Sequence, residues 1–129
     1  MALPTDANIE LVLCDSARAK PDGKLDITGY YPFPSVKLDP SAPLPAAINL
    51  TFLFVIKDGD GQFRGRFRIL DPHGGELHRY EIREFTKQPG LPHLVILTVN
   101  RIPIVSSGDF CALLEIEGQE YRRMVQIFQ

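Results

Sequence analysis

Hydrophobic and polar residues alternate with a period of two along most of this chain, the period of a half-buried β-strand. Ile9, Leu11 and Leu13 share one side of the first run. Leu25, Ile27 and Tyr31 do the same within residues 24–31. Ile48, Leu50, Phe52, Phe54 and Ile56 form the longest unbroken apolar face, within residues 47–56. Phe63, Phe67 and Ile69 lie on one side of residues 62–70, which are predicted to pair with 77–85 across the turn Asp71-Pro72-His73-Gly74-Gly75. The run from His93 to Asn100 carries no charge, a pattern that predicts a strand buried on both faces. Phe110, Ala112, Leu114 and Ile116, followed by Tyr121, Val125 and Ile127, predict a final hairpin. No segment keeps a helical period of 3.6.

Turn chemistry punctuates these runs. In Lys20-Pro21-Asp22-Gly23 the proline presets φ and the glycine takes the left-handed site. Asp58-Gly59-Asp60-Gly61 reads as a tight hairpin turn. Gly118-Gln119 fits a type II′ loop, which predicts Ile116 opposite Tyr121, Leu114 opposite Arg123, Leu113 opposite Met124, Ala112 opposite Val125, Cys111 opposite Gln126 and Phe110 opposite Ile127. Pro32 to Pro45 contains five prolines and is predicted to be a loop or a crossover between sheets. Residues 1–8 are expected to form a flexible tail. The prediction is a single domain over 1–129: an antiparallel β-sandwich of about eight strands with immunoglobulin-like architecture, or alternatively a β-barrel.

Composition narrows the class. Of 129 residues, 44% are hydrophobic and 23% charged, the balance of a globular protein rather than a disordered one. The formal net charge of −2 provides no global attraction for nucleic acid or acidic membrane. No apolar run approaches the roughly 20 residues of a spanning helix, and the N-terminus lacks the basic and apolar regions of a secretory signal. A cytoplasmic location is therefore expected, with Cys14 and Cys111 as free thiols.

Three pieces of sequence carry a resemblance: Asp15 near the end of the first strand, the hairpin Pro21-Asp22-Gly23-Lys24-Leu25-Asp26-Ile27-Thr28-Gly29, and Gly108-Asp109-Phe110 leading into Glu117-Gly118. In order and spacing the chain resembles a family of small bacterial proteins of unknown function. The resemblance implies an all-β sandwich and brings no ligand, partner or catalytic residue with it.

Two surfaces are candidates for function. Arg64, Arg66 and Arg68 form a stripe on one strand, and pairing with 77–85 places Arg79 and Arg83 beside it, around Glu81. Such a cluster is a candidate anion or nucleic-acid surface, although an exposed face of ion pairs explains it too. Leu53, Val55, Cys111, Leu113 and Met124 are apolar at positions predicted to face away from the core. A one-sided sheet should be polar there, so these residues are the candidate self-association face of a homodimer, with Pro32 to Pro45 as an alternative cover.

Chemistry-bearing motifs are few. Asp58-Gly59-Asp60-Gly61 fails as a calcium loop, because Phe63 and Ile69 stand where glycine and glutamate are needed. His73, His78 and His93 have no ligand spacing. There is no Gly-x-Ser-x-Gly elbow, phosphate-binding loop or HExxH motif. Expected is a non-enzymatic binding or structural module that self-associates, with no catalytic, metal or cofactor residues. Anion or nucleic-acid binding is the alternative, and an enzyme with a site assembled from loops is the third reading.

Overall fold

The computed structural model describes residues 1–129. Apart from one 3-10 turn at Asp6–Asn8, its regular elements are ten strands. They are β1 (Ile9–Cys14), β2 (Ser16–Ala19), β3 (Leu25–Thr28), β4 (Ser35–Lys37), β5 (Ala46–Ile56), β6 (Gly61–Leu70), β7 (Glu76–Lys87), β8 (His93–Ile104), β9 (Gly108–Ile116) and β10 (Gln119–Phe128). They form a three-stranded sheet in the order β1-β5-β8 and a five-stranded sheet in the order β4-β10-β9-β6-β7, with β2-β3 as a separate hairpin. The chain passes between sheets at β4–β5, β5–β6, β7–β8 and β8–β9, as in immunoglobulin-like sandwiches. The alternative barrel is ruled out, because the two sheets remain separate ladders with free edges.

The alternating apolar residues of both sheets meet in one core of 22 buried residues. Phe67 of β6 lies between Phe52 and Phe54 of β5, with ring centroids 5.0 and 5.8 Å away. Tilted and edge-on pairs of this kind add about 0.5–1.5 kcal/mol each beyond the area they bury. The pairing of β6 with β7 sets Phe67 opposite Tyr80, Arg66 opposite Glu81 and Arg68 opposite Arg79, as the pattern predicts.

Four local features differ from the sequence prediction. The last hairpin turns on Glu117-Gly118, with φ of 49° and 83°, so both central residues are left-handed as in a type I′ turn. Gln119 therefore pairs with Ile116, Tyr121 with Leu114, Arg123 with Ala112 and Val125 with Phe110. The register moves by two residues, and an even shift leaves every side chain on its predicted face. The proline-rich segment contains β4, which runs parallel to β10 as an edge strand with Val36 in the core.

Residues 1–8 lie against the body rather than trailing from it. Ala2 and Asp60 exchange backbone hydrogen bonds. The Asp58 carboxylate accepts from the Thr5 amide and hydroxyl and from the Asn8 amide. The buried Tyr121 hydroxyl donates to Pro4 O at 2.6 Å. Arg123, on the core side of β10, reaches the rim, where its guanidinium donates to Asp6 Oδ1 and to the Asp6 and Ile9 carbonyls.

The fourth difference concerns β8. The apolar run 93–100 predicts burial on both faces, yet β8 is an edge strand with β5 as its only partner. Val95, Leu97 and Val99 enter the core, Leu94 and Ile96 are half-buried on the outer side, and Thr98 is exposed.

Candidate interaction surfaces

The arginine stripe forms as alternation dictates, with Arg64, Arg66 and Arg68 on the outer face of β6. Its surroundings differ from expectation. A bulge in β7 between the pairs Phe63–Phe85 and Gly65–Ile82 shifts the register there. Arg64 consequently pairs with Glu84 at 3.4 Å rather than facing Arg83 alone. Arg66 bonds Glu81 at 2.8 Å and lies 3.9 Å from Glu115. Arg68 lies 3.5 Å from Glu120 and 3.9 Å from Glu76, which also binds Arg79 at 3.1 Å. Arg83 has no carboxylate within ion-pair distance.

The expected field of five arginines around one glutamate is thus a neutral lattice. Arg64, Arg66, Arg68, Arg79, Arg83 and Arg122 alternate with Glu76, Glu81, Glu84, Glu115, Glu117 and Glu120. A shallow concavity of about 250 Å³ on this face is lined by Arg64, Arg66, Glu81, Glu115 and Glu117 with two glycines. Three carboxylates against two guanidiniums do not make an anion cradle.

The five apolar candidates do not form one patch. Leu53 and Val55 lie on the outer face of the three-stranded sheet, whereas Cys111, Leu113 and Met124 lie on the outer face of the five-stranded sheet. Leu113 is 1% exposed and sits in register between Arg68 and Arg122, whose long aliphatic stems flank it. Met124 is 61% exposed beside the half-buried Cys111. Pro32 to Pro45 follows the edge of β10 through β4 and does not lie over Leu113 or Met124 as a cover.

The three-stranded sheet has the more continuous apolar face. Leu53, 1% exposed, has Val12 and Ile96 as its register neighbours, and Val55 has Glu10 and Leu94. At one end of this face the Thr51 and Thr98 hydroxyls lie 3.1 Å apart, and Thr51 donates to Asp15 O. There the β2–β3 hairpin touches β5 and β8. Cys14, in register with Thr51, is fully buried, and burial followed by the Asp15 charge pushes its thiol above the ordinary value.

A feature invisible in the sequence lies at the seam between sheets. Tyr80 is opposite the fully buried Phe67 and so points inward, yet it is 48% exposed. It and His78 form one wall of a cleft of about 160 Å³, whose other wall is the consecutive run Ile96 to Val99. Four consecutive residues point to alternate sides of a strand, so the cleft runs along the free backbone edge of β8. Alternation flags Tyr80 as inward-facing, but only the strand order reveals that nothing lies beneath it.

The histidines stay apart. His93 stacks on Phe85 with centroids 4.4 Å apart, and burial, then the Lys87 charge, hold its pKa below the ordinary histidine value. His73 shares an end pocket of about 210 Å³ with Asp71 and Ser106. Asp71 Oδ1 accepts the backbone N–H groups of His73 and Gly75, and no hydrogen bond joins His73 to Ser106. No three His, Cys, Asp or Glu side chains converge as metal ligands. No helix is long and apolar enough to cross a membrane.

No family model matches the chain, and no curated protein matches it significantly.

Proposed function

We propose that this chain is a non-enzymatic β-sandwich module that acts by self-association. One observation carries the reading: the outer surface of the three-stranded sheet is apolar, with Val12, Val55, Leu94 and Ile96 half-exposed around the buried Leu53. A sheet face turned permanently to water is polar, and a contiguous apolar face marks a contact surface. The charged face opposite neutralises itself through its own ion pairs, which favours self-association over the alternative, anion or nucleic-acid binding. A cytoplasmic setting belongs to the same proposal and accords with the two free thiols. So does kinship with small bacterial all-β proteins, on the residues around Asp15, Asp22-Gly23 and Glu117-Gly118.

Light scattering over a concentration series tests the reading. A mass of twice the 14.5 kDa chain is expected. A mass of one chain at the highest soluble concentration would refute self-association. Salt-dependent retention on heparin would instead favour the arginine stripe as the working surface.

A further inference from the structure

We infer that the free edge of β8 is the self-association site, and that its occupant is β8 of a second copy, added antiparallel about a two-fold axis. This rests on the self-association proposed above and places the contact at the edge of the apolar-faced sheet rather than on its face, with a second copy as the partner.

Four edges end the two main sheets, and three of them are guarded. β4 is three residues long. β1 is crossed near its end by the bridge from Leu13 to Tyr31. β7 carries charges at Glu76, Arg79, Glu81, Arg83, Glu84 and Lys87. Shortness, covering and charge are the ordinary defences against strand addition. β8 has defences only at its far end, where Arg101 sits at φ 60° beside a register shift and is followed by Pro103. From Leu94 to Val99 it has no charge, no proline and no register shift.

The two sheets also differ in width. Five strands stand over three, so the inward side of β7 overhangs β8. That overhang explains why Tyr80 faces inward and is still half-exposed, with a cleft between it and the β8 edge. A strand laid beside β8 would fill this space, satisfy the free backbone groups and cover Tyr80.

A second copy is the occupant best suited to the space. Within the chain no extended segment is spare: residues 2–8 are bonded to Asp58 and Asp60, and Ser35 to Lys37 are paired with β10. An uncharged edge has no charge pattern with which to select a foreign peptide. It is, however, complementary to itself. With the two-fold axis at Leu97, the middle of 95–99, Val95 meets Val99 of the partner subunit and Ile96 meets Thr98 of the partner subunit. The apolar rows Val12-Leu53-Ile96 then continue across both copies as one sheet. Two-fold pairing uses both β8 edges at once and closes the assembly, whereas a lone edge of this kind would recruit strands without limit.

The test uses the whole chain. Ile96→Lys with Thr98→Lys places like charges opposite one another across the two-fold axis. Both side chains point outward, so the core is untouched and a lysine stem can lie along the sheet. The mass in solution should fall by half with an unchanged β-sheet circular dichroism spectrum, while Met124→Lys on the other sheet leaves it at two chains. If the double variant fails to fold, hydrogen exchange of the wild type decides: amides within 94–100 should gain protection as concentration rises through the dimerisation range. A dimer whose 94–100 amides exchange equally at all concentrations, or whose mass survives the double-lysine change, would overturn the edge and leave self-association intact. A wild type that is monomeric throughout would overturn both.

Discussion

β7 and β8 are both twelve-residue strands at sheet edges, joined by a short loop, and they solve the edge problem in opposite ways. β7 alternates charged and apolar residues, and its glutamates are matched by arginines on β6 and on β7 itself. Its ladder is also bulged at two places, which twists an edge away from flat pairing. β8 is regular and uncharged over 94–99. The lesson is that hydrophobicity along a strand does not report burial. In β8 it reports one side in the core, one side on an apolar outer face and a backbone with one free flank.

The largest expected effect separates the inward positions of the two strands. Leu97→Ala removes a core side chain and should lower unfolding free energy by about 2–4 kcal/mol in a denaturant titration. Tyr80→Ala, on the overhang, should cost less than about 1 kcal/mol at low concentration. Its cost should grow with concentration when a partner strand lies beneath it. Equal costs at low concentration would mean that Tyr80 is packed in the single chain.

Removing the guard from β7 should make it behave like β8. Replacing Arg79, Glu81, Arg83 and Glu84 together by serine should change unfolding free energy by about 1 kcal/mol or less, since exposed ion pairs contribute little. The same variant should gain concentration-dependent light scattering beyond that of the wild type. Scattering that stays at the wild-type level would show that the bulges alone protect this edge.

A pH titration probes the junction of the two strands. His93, at the start of β8, is held neutral by burial and by Lys87, so the unfolded chain binds its proton first as pH falls. Stability should therefore be complete above about pH 6.5, the ordinary value, and decline as pH drops from there through the lowered folded pKa. His93→Gln should flatten that part of the curve. At the same end of the molecule, where His93 is in register with Ile56, the Asp58 carboxyl, bonded chiefly to the Thr5 hydroxyl, has a lowered pKa. Its contribution should be complete above about pH 3.9 and be lost as pH falls through the lower folded value.

The smallest effect concerns salt. Raising ionic strength to about 0.5 M screens the lattice beside β7 and should shift stability by only a few tenths of a kcal/mol. Dimerisation through β8 should hold or strengthen under the same change, because no charged pair lies within 94–100. A dimer that dissociates in salt would point to the charged face.

Much of the fold was legible in residue order. The period-two runs located the strands because one face of each must enter the core. The match of Phe67 to Tyr80 and Arg66 to Glu81 followed from that period and the Asp71 to Gly75 turn. The turn at Glu117-Gly118 was misread by one position, because Gly118 suits either loop and the facing of Tyr121 and Val125 survives a shift of two. Partners distant in sequence were not legible. Tyr121 and Arg123 hold the N-terminal segment across more than a hundred residues, and no local pattern announces such a bond.

The same division runs through the candidate surfaces. Alternation alone determined that Arg64, Arg66 and Arg68 share a face and that Leu53, Val55, Leu113 and Met124 point away from the core, since side-chain direction along a strand depends only on position. Strand order and bulges decided everything that depends on neighbours. They set six glutamates among the arginines, separated Leu53 and Val55 from Leu113 and Met124 by the thickness of the sandwich, and left β8 at an edge beside an uncovered Tyr80. Period is a property of one strand, whereas charge balance, burial and a free backbone edge are properties of the strands beside it, and those are chosen only when the chain folds.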